Sequence, residues 1–146
     1  MNPLNIIIHH SLTADGQMVN WQAIRKYHIE TNGWKDIGYH YGIENVYGQY
    51  EILKGRFDNM TGAHAKGFNQ DSIGICLIGN YDDHEPLPIQ LDLLQRLVIS
   101  LITIYGIKVA NVLGHRETYA RLGKPQLKIC PGRLFDMIKF RKSLLL

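Results

Sequence analysis

Cysteine is scarce in this chain of 146 residues, which holds two, Cys76 and Cys130. Their spacing matches no disulfide framework, so a stapled secreted mini-domain is excluded and a reducing compartment fits. Cys76, inside Ile73-Gly74-Ile75-Cys76-Leu77-Ile78, reads as a small core hydrophobe. Charge of one sign is scarce as well. A formal net charge of +3 is too small for a nucleic-acid footprint, and no nucleic-acid partner is expected. The basic cluster Lys139, Arg141 and Lys142 suits a helix end or a solvated face. Long hydrophobic runs are lacking too: Leu4 to Ile8 and Leu97 to Ile104 are too short or too interrupted to span a bilayer, so no membrane insertion is expected. Met1-Asn2-Pro3 lacks the basic start of a secretory signal, which predicts synthesis in the cytoplasm. With no repeat, low-complexity tract or linker, a single domain over 1–146 is expected, long enough to bury a core without staples.

What is present alternates strands with helices. Ile6 to His9 is predicted as a first strand, followed by a loop from Ser11 to Val19. Asn20 is placed to cap a helix whose Ile24, Tyr27 and His28 share a face and which Gly33 ends. Ile37 to Ile43 alternates apolar or aromatic residues with Gly and His, predicting a strand with Tyr39 and Tyr41 on one face and His40 on the other. Asn45 to Gly48 is expected to turn the chain back into a strand through Tyr50 to Leu53. The nearly uninterrupted run Ile73 to Ile78 reads as a central strand covered on both faces. Pro88 starts a helix with Leu91, Leu94, Gln95 and Val98 at helical spacing, Gly106 ends it, and a strand begins near Lys108. A last helix is expected from about Leu134 to Lys142. This order predicts an α/β fold, a central mixed β-sheet flanked by helices.

Three side chains stand out as metal ligands. His9 ends Ile6-Ile7-Ile8, and His115 follows the run Val109 to Leu113 through Gly114, so each is presented at the end of a buried strand. Cys130 lies in Lys128-Ile129-Cys130-Pro131-Gly132, where proline and glycine pin a turn beside the sulfur. Imidazoles and a thiolate occupy three corners of a Zn²⁺ tetrahedron and leave one for water, the arrangement of a catalytic site. A Cys76 to Cys130 disulfide would remove the thiolate and is not expected. Taken singly, a hydrogen-bonded core histidine or an inert thiol is the commoner role. Strand alternation by itself leaves both His9 and His10 open as ligands.

The wording around these residues is more specific. In order stand Ile8-His9-His10-Ser11, Ile37-Gly38-Tyr39-His40-Tyr41, Gly62-Ala63-His64-Ala65-Lys66-Gly67-Phe68-Asn69, Ser72-Ile73-Gly74-Ile75-Cys76-Leu77-Ile78-Gly79-Asn80, Gly114-His115-Arg116-Glu117 and Lys128-Ile129-Cys130-Pro131-Gly132. Together they resemble the zinc-dependent N-acetylmuramoyl-L-alanine amidases, a family that includes amidase-type phage lysozymes and peptidoglycan recognition proteins. The resemblance runs from about Ile6 to Pro131. It implies the family fold, with His9, His115 and Cys130 as the Zn²⁺ ligands, His10 supporting or packing, and Arg116 a structural hydrogen-bond donor. Members that only recognise peptidoglycan typically lack the metal-binding side chain at the position of Cys130, so its presence argues for catalysis.

On residue type alone, Lys128 is a surface lysine and Tyr39 a packing residue. The resemblance makes both catalytic: Lys128 faces the developing oxyanion of the scissile amide, and Tyr39 orients water or moves a proton. His64 and Asn69 fall in a loop that the family uses along its substrate groove, where they contact the glycan-peptide or brace the site. The connection Tyr50 to Arg56 departs from the family's short pattern and reads as enlarged, which bears on peptide-stem preference. The implied reaction is hydrolysis of the amide between N-acetylmuramic acid and L-alanine in peptidoglycan, by a phage or prophage endolysin that reaches the cell wall after release. The alternatives are a cytoplasmic muropeptide-recycling amidase and a non-catalytic peptidoglycan recognition module. A monomer is expected, and a protein partner such as a polymerase stays open.

Overall fold

Alternate residues of the central strands go to opposite sides of one sheet, and this parity decides which side chains reach each face. The computed structural model describes residues 1–13 and 20–145, so the expected loop from Ser11 to Val19 lies outside them from residue 14 onward. Strands β1 (Asn5–His10), β2 (Tyr41–Val46), β3 (Gln49–Lys54), β4 (Ser72–Leu77) and β5 (Val112–Gly114) stand in the order β3-β2-β4-β1-β5. β1 is parallel to β4 and β5, and β2 is parallel to β4, while β3 returns antiparallel to β2. The hairpin turns at Tyr47 and Gly48, with φ of 51° and 88°, the left-handed pair that matches the twist of adjoining strands. Among the described residues, four helices, α1 (Trp21–Glu30), α2 (Pro88–Tyr105), α3 (His115–Arg121) and α4 (Met137–Ser143), complete the α/β fold.

Ile6, Ile8, Ile73, Ile75 and Leu77 face α2 and α4, where Leu94, Val98, Leu101 and Phe140 close the main core. On the opposite face Ile7 meets Ala65, Phe68 and Leu113, and Cys76 meets Trp21, Ile37 and Ile78. α2 has the length and composition of a helix able to cross a membrane. Its Leu94 and Val98 are nonetheless fully buried against the sheet, the packing of an amphipathic core helix. Since His9 follows Ile7 in parity, it emerges on the second face, and His10 follows Ile8 onto the first.

Several sequence expectations are corrected. The strand starts only at Tyr41; ahead of it Gly38 accepts the Ala63 N–H at 3.0 Å, and the Tyr39 and His40 carbonyls accept the N–H groups of Arg56 and Gly55. Tyr39 therefore packs with Trp21 and Ile37, whereas Tyr41 joins the main core. The anchor of α1 is Trp21, 1% exposed, whose indole lies over Gly42; Tyr27 is 57% exposed. The expected strand from Lys108 is replaced by a 3-10 turn over Val109–Asn111, in which Val112 N–H bonds the Val109 carbonyl, and strand pairing begins at Val112. α4 begins after Asp136, whose carboxylate accepts the Lys139 N–H at 2.9 Å. Leu134 and Phe135 direct their N–H groups to Tyr81 and Gly132 instead. The strand expected through Tyr50 to Leu53 is present as part of β3, paired residue for residue with β2.

Candidate metal centre and active-site cleft

β1 and β5 are neighbours in register Ile8 to Gly114, so His9 and His115 leave the sheet at the same end. Their ring centroids are 4.7 Å apart. Cys130 arrives from the loop between α3 and α4, which Arg116 draws in. Its backbone N–H donates to the Cys130 carbonyl at 2.8 Å, and its guanidinium donates to the carbonyls of Gly132 at 2.6 Å and Phe135 at 2.7 Å. Gly114 permits this approach, since a Cβ there would stand 2.8 Å from Pro131 Cδ.

Among the described residues, His9, His115 and Cys130 form a potential metal-binding group, with donor atoms all within 4.8 Å of one another. Cys130 Sγ lies 3.6 Å from His9 Nδ1. Bonds of zinc length at a tetrahedral angle would hold sulfur and nitrogen about 3.5 Å apart. The donor set therefore fits Zn²⁺.

The electrostatics agree with that fit. Burial, then the neighbouring His64, His115 and Lys128, holds His9 well below the usual histidine range. His115 is lowered to about 4 by burial and by Lys128. Both imidazoles are thus neutral at neutral pH and keep a lone pair for a metal. Burial pushes the Cys130 thiol up to about 11, against the pull of a backbone hydrogen bond from His10 and of Lys128 and Arg116. A cation among the donors is what would free its proton.

Tyr39, His64, Lys128 and Ile129 join the three donors around a cleft of about 470 Å³. The Tyr39 ring is 5.2 Å from that of His9. Burial, with Cys76 and Cys130 nearby, keeps its phenol protonated far above neutral pH. Lys128 is exposed at the rim. His64 lies behind His9, its Nδ1 2.9 Å from His9 Nε2. Asn69 does not line the cleft: its side-chain oxygen accepts the backbone N–H groups of His64 and Ala65 at 2.8 and 2.9 Å. His10 lines the cleft wall beside them but is held by Tyr81, on whose ring it stacks at 6.0 Å and whose N–H its Nδ1 accepts at 3.2 Å.

Residues 1–133 match the family model described as N-acetylmuramoyl-L-alanine amidase. The chain belongs to the N-acetylmuramoyl-L-alanine amidase family. The endolysin of Escherichia phage T7 is 37% identical over 137 residues, which cover 90% of this chain and 81% of that protein. The N-acetylmuramoyl-L-alanine amidase LysC from Clostridium intestinale superposes with a TM-score of 0.82 at 28% identity, covering 99% of this chain and 87% of that one. A tyrosine variant of Drosophila PGRP-LB in complex with tracheal cytotoxin gives a TM-score of 0.74 at 30% identity, covering 92% and 79%. The chain is thus an enzyme, a peptidoglycan amidase of the endolysin kind.

The amidase also relies on groups that sequence reasoning missed. Glu117 accepts the Gly114 N–H at 2.8 Å and takes both guanidinium nitrogens of Arg141 at 2.8 Å each. Arg141 reaches the Val112 carbonyl as well, at 3.0 Å, so the pair clamps the strand-to-helix turn that carries His115. A glutamate three residues past Gly114 was the available signal for a capped helix start. Arg141, placed by sequence on a helix end or solvated face, had no signal pointing to this turn.

Proposed function

We propose that the amidase holds Zn²⁺ through His9 Nδ1, His115 and Cys130 and cleaves the amide joining the lactyl group of N-acetylmuramic acid to L-alanine. The observation that carries this reading is the 3.6 Å separation of Cys130 Sγ from His9 Nδ1, with His115 inside the same cluster. Bound there, Zn²⁺ supplies Lewis acidity toward water and the amide carbonyl. Lys128, at the rim, offers its ammonium to the carbonyl oxygen as negative charge grows during attack. Tyr39 keeps its phenol proton and offers it as a hydrogen bond to the reacting water or to the departing amine. Hydrolysis proceeds by direct attack of water.

Peptidoglycan is the substrate class, and the glycan-peptide lies along the cleft over His9, Tyr39 and Lys128. Of the two residues expected along the groove, Asn69 acts by bracing the loop, its side-chain oxygen being occupied by two backbone donors. His64 acts from behind His9. One amidase domain over 1–146 works as a monomer, made in the cytoplasm and acting on the wall after release. Digestion of intact sacculi with and without a chelator, followed by end-group and mass analysis, tests this reading. Soluble muropeptides run in parallel separate a wall-lytic enzyme from a recycling one.

A further inference from the structure

We propose that His64 is a positioning residue that fixes which nitrogen of His9 carries the proton, through a hydrogen-bond chain anchored at a backbone carbonyl. The consequence for metal binding rests on the reading of His9 as a zinc ligand. The proton assignment stands on hydrogen-bond geometry alone.

The chain begins at Phe68. Ser72 Oγ lies 2.6 Å from the Phe68 carbonyl oxygen, and a carbonyl only accepts, so the serine's single proton is committed there. Ser72 Oγ also lies 3.3 Å from His64 Nε2. With its proton spent, the hydroxyl accepts, and His64 Nε2 carries the hydrogen. A neutral imidazole has one N–H, which leaves a lone pair on His64 Nδ1. His9 Nε2, 2.9 Å from that lone pair, must donate. His9 Nδ1 is then bare, and this is the atom facing Cys130 Sγ at 3.6 Å. In the opposite tautomer of His9, two lone pairs would meet, or Ser72 would have to abandon the Phe68 carbonyl in a buried site.

The surroundings are shaped for this ring. A Cβ at Gly74 would stand 2.6 Å from His64, and one at Gly62 would stand 2.5 Å from it, so glycine is needed on both sides. Asn69 pins the His64 backbone, and the His40 ring meets His64 edge-on at 5.8 Å. Both ring nitrogens of His64 are engaged by protein atoms, so neither is left to bind a ligand. Gly62, His64, Asn69, Ser72 and Gly74 thus serve one task, holding the acceptor that orients His9. A histidine ligand whose other nitrogen donates to a fixed acceptor is preset in tautomer and ring orientation, and it is the more basic for it.

Long-range ¹H–¹⁵N spectra of the metal-free, ¹⁵N-labelled full chain read the tautomers directly. The proposal expects the Nε2–H form at both His9 and His64; an Nδ1–H form at His9 overturns it. His64→Leu removes the acceptor, and the His9 signals should move toward a mixture of tautomers. Zinc affinity, measured by competition with a chromophoric chelator, should fall about 10- to 100-fold. His64→Asn, whose side-chain oxygen reaches the place of Nδ1, should restore both readouts, which a purely space-filling role for the ring would not explain. Unchanged His9 tautomer and zinc affinity in a folded His64→Leu protein overturn the proposal. If His64→Leu does not fold, Ser72→Ala decides: the proposal expects mixed tautomers at His64, and an unaltered pair overturns it. Failure of the wild type to bind zinc would sink the zinc reading, while the metal-free spectrum judges the His64 chain separately.

Discussion

The sulfur of Cys130 stands 3.6 Å from Nδ1 of His9, across 121 positions of sequence. Two devices create that proximity. Parity along β1 delivers His9 to the face opposite His10, and Arg116 ties the backbone on both sides of Cys130 to the start of α3. The same relationship makes Cys130 the place to test the zinc reading. A serine hydroxyl is a far weaker zinc donor than a thiolate. Cys130→Ser should keep the fold, since the loop is held by Arg116, and lose most of its zinc and its activity. Metal content and rate check this; a normal value for both would exclude Cys130 as a ligand.

Lys128 and Tyr39 line the cleft without belonging to the metal-binding group. Lys128→Ala and Tyr39→Phe should therefore retain zinc while turnover falls on the order of 10²-fold or more, the scale of a lost oxyanion donor or acid-base group. Metal content measured beside kcat separates this from damage to the centre. Near-normal kcat in both would remove them from the catalytic step.

Glu117 holds the Gly114 N–H and both arms of Arg141. Glu117→Ala leaves these donors without their acceptor and should cost about 1–3 kcal/mol of stability, read by urea unfolding of the metal-free protein. Zinc affinity should fall with it, because the turn that loosens carries His115. Unchanged stability would show that water replaces the carboxylate at no cost.

Stability should also depend on pH when the metal is removed. Burial, followed by His40 and His115, lowers His64 to about 3 from the usual 6.5, and burial lowers His115 to about 4. Below pH 6.5 the unfolded chain then binds more protons than the folded one, so stability is complete above that pH and drains away as pH falls toward about 4. His64 alone contributes a slope of about 1.4 kcal/mol per pH unit in this window. Thermal melts in chelator at about pH 7.5 and about pH 5 should show a clear fall in Tm, and a flat profile would contradict the neutral, buried state of these rings.

Much of this was legible in the sequence, for reasons that particular residues make plain. Ile6-Ile7-Ile8 before His9, Pro88 and Gly106 around α2, and Asn20 before α1 are local signals, and the elements they mark are present. The placing of Cys130 in a Pro-Gly turn was equally local. Alternation reports burial but not the partner, which is why Ile37 to His40 looked like sheet while Gly38 pairs with Ala63. Val109 to Asn111 misled in the same way, its apolar run closing on itself before β5. His64 was visible as a candidate, but its role depends on Ser72 in the next strand and on His9 in another, at 3.3 and 2.9 Å. No local pattern carries a hydrogen-bond chain across three segments.

The most direct measurement of the central claim is mass and end-group analysis of sacculi digested by zinc-loaded and by chelated protein. The zinc-loaded enzyme should leave intact glycan strands with free lactyl carboxylates and release peptides beginning at L-alanine, and the chelated protein should release neither. New reducing sugar ends, cleavage inside the stem with the N-acetylmuramic acid to L-alanine amide preserved, or undiminished release in chelator would contradict the account.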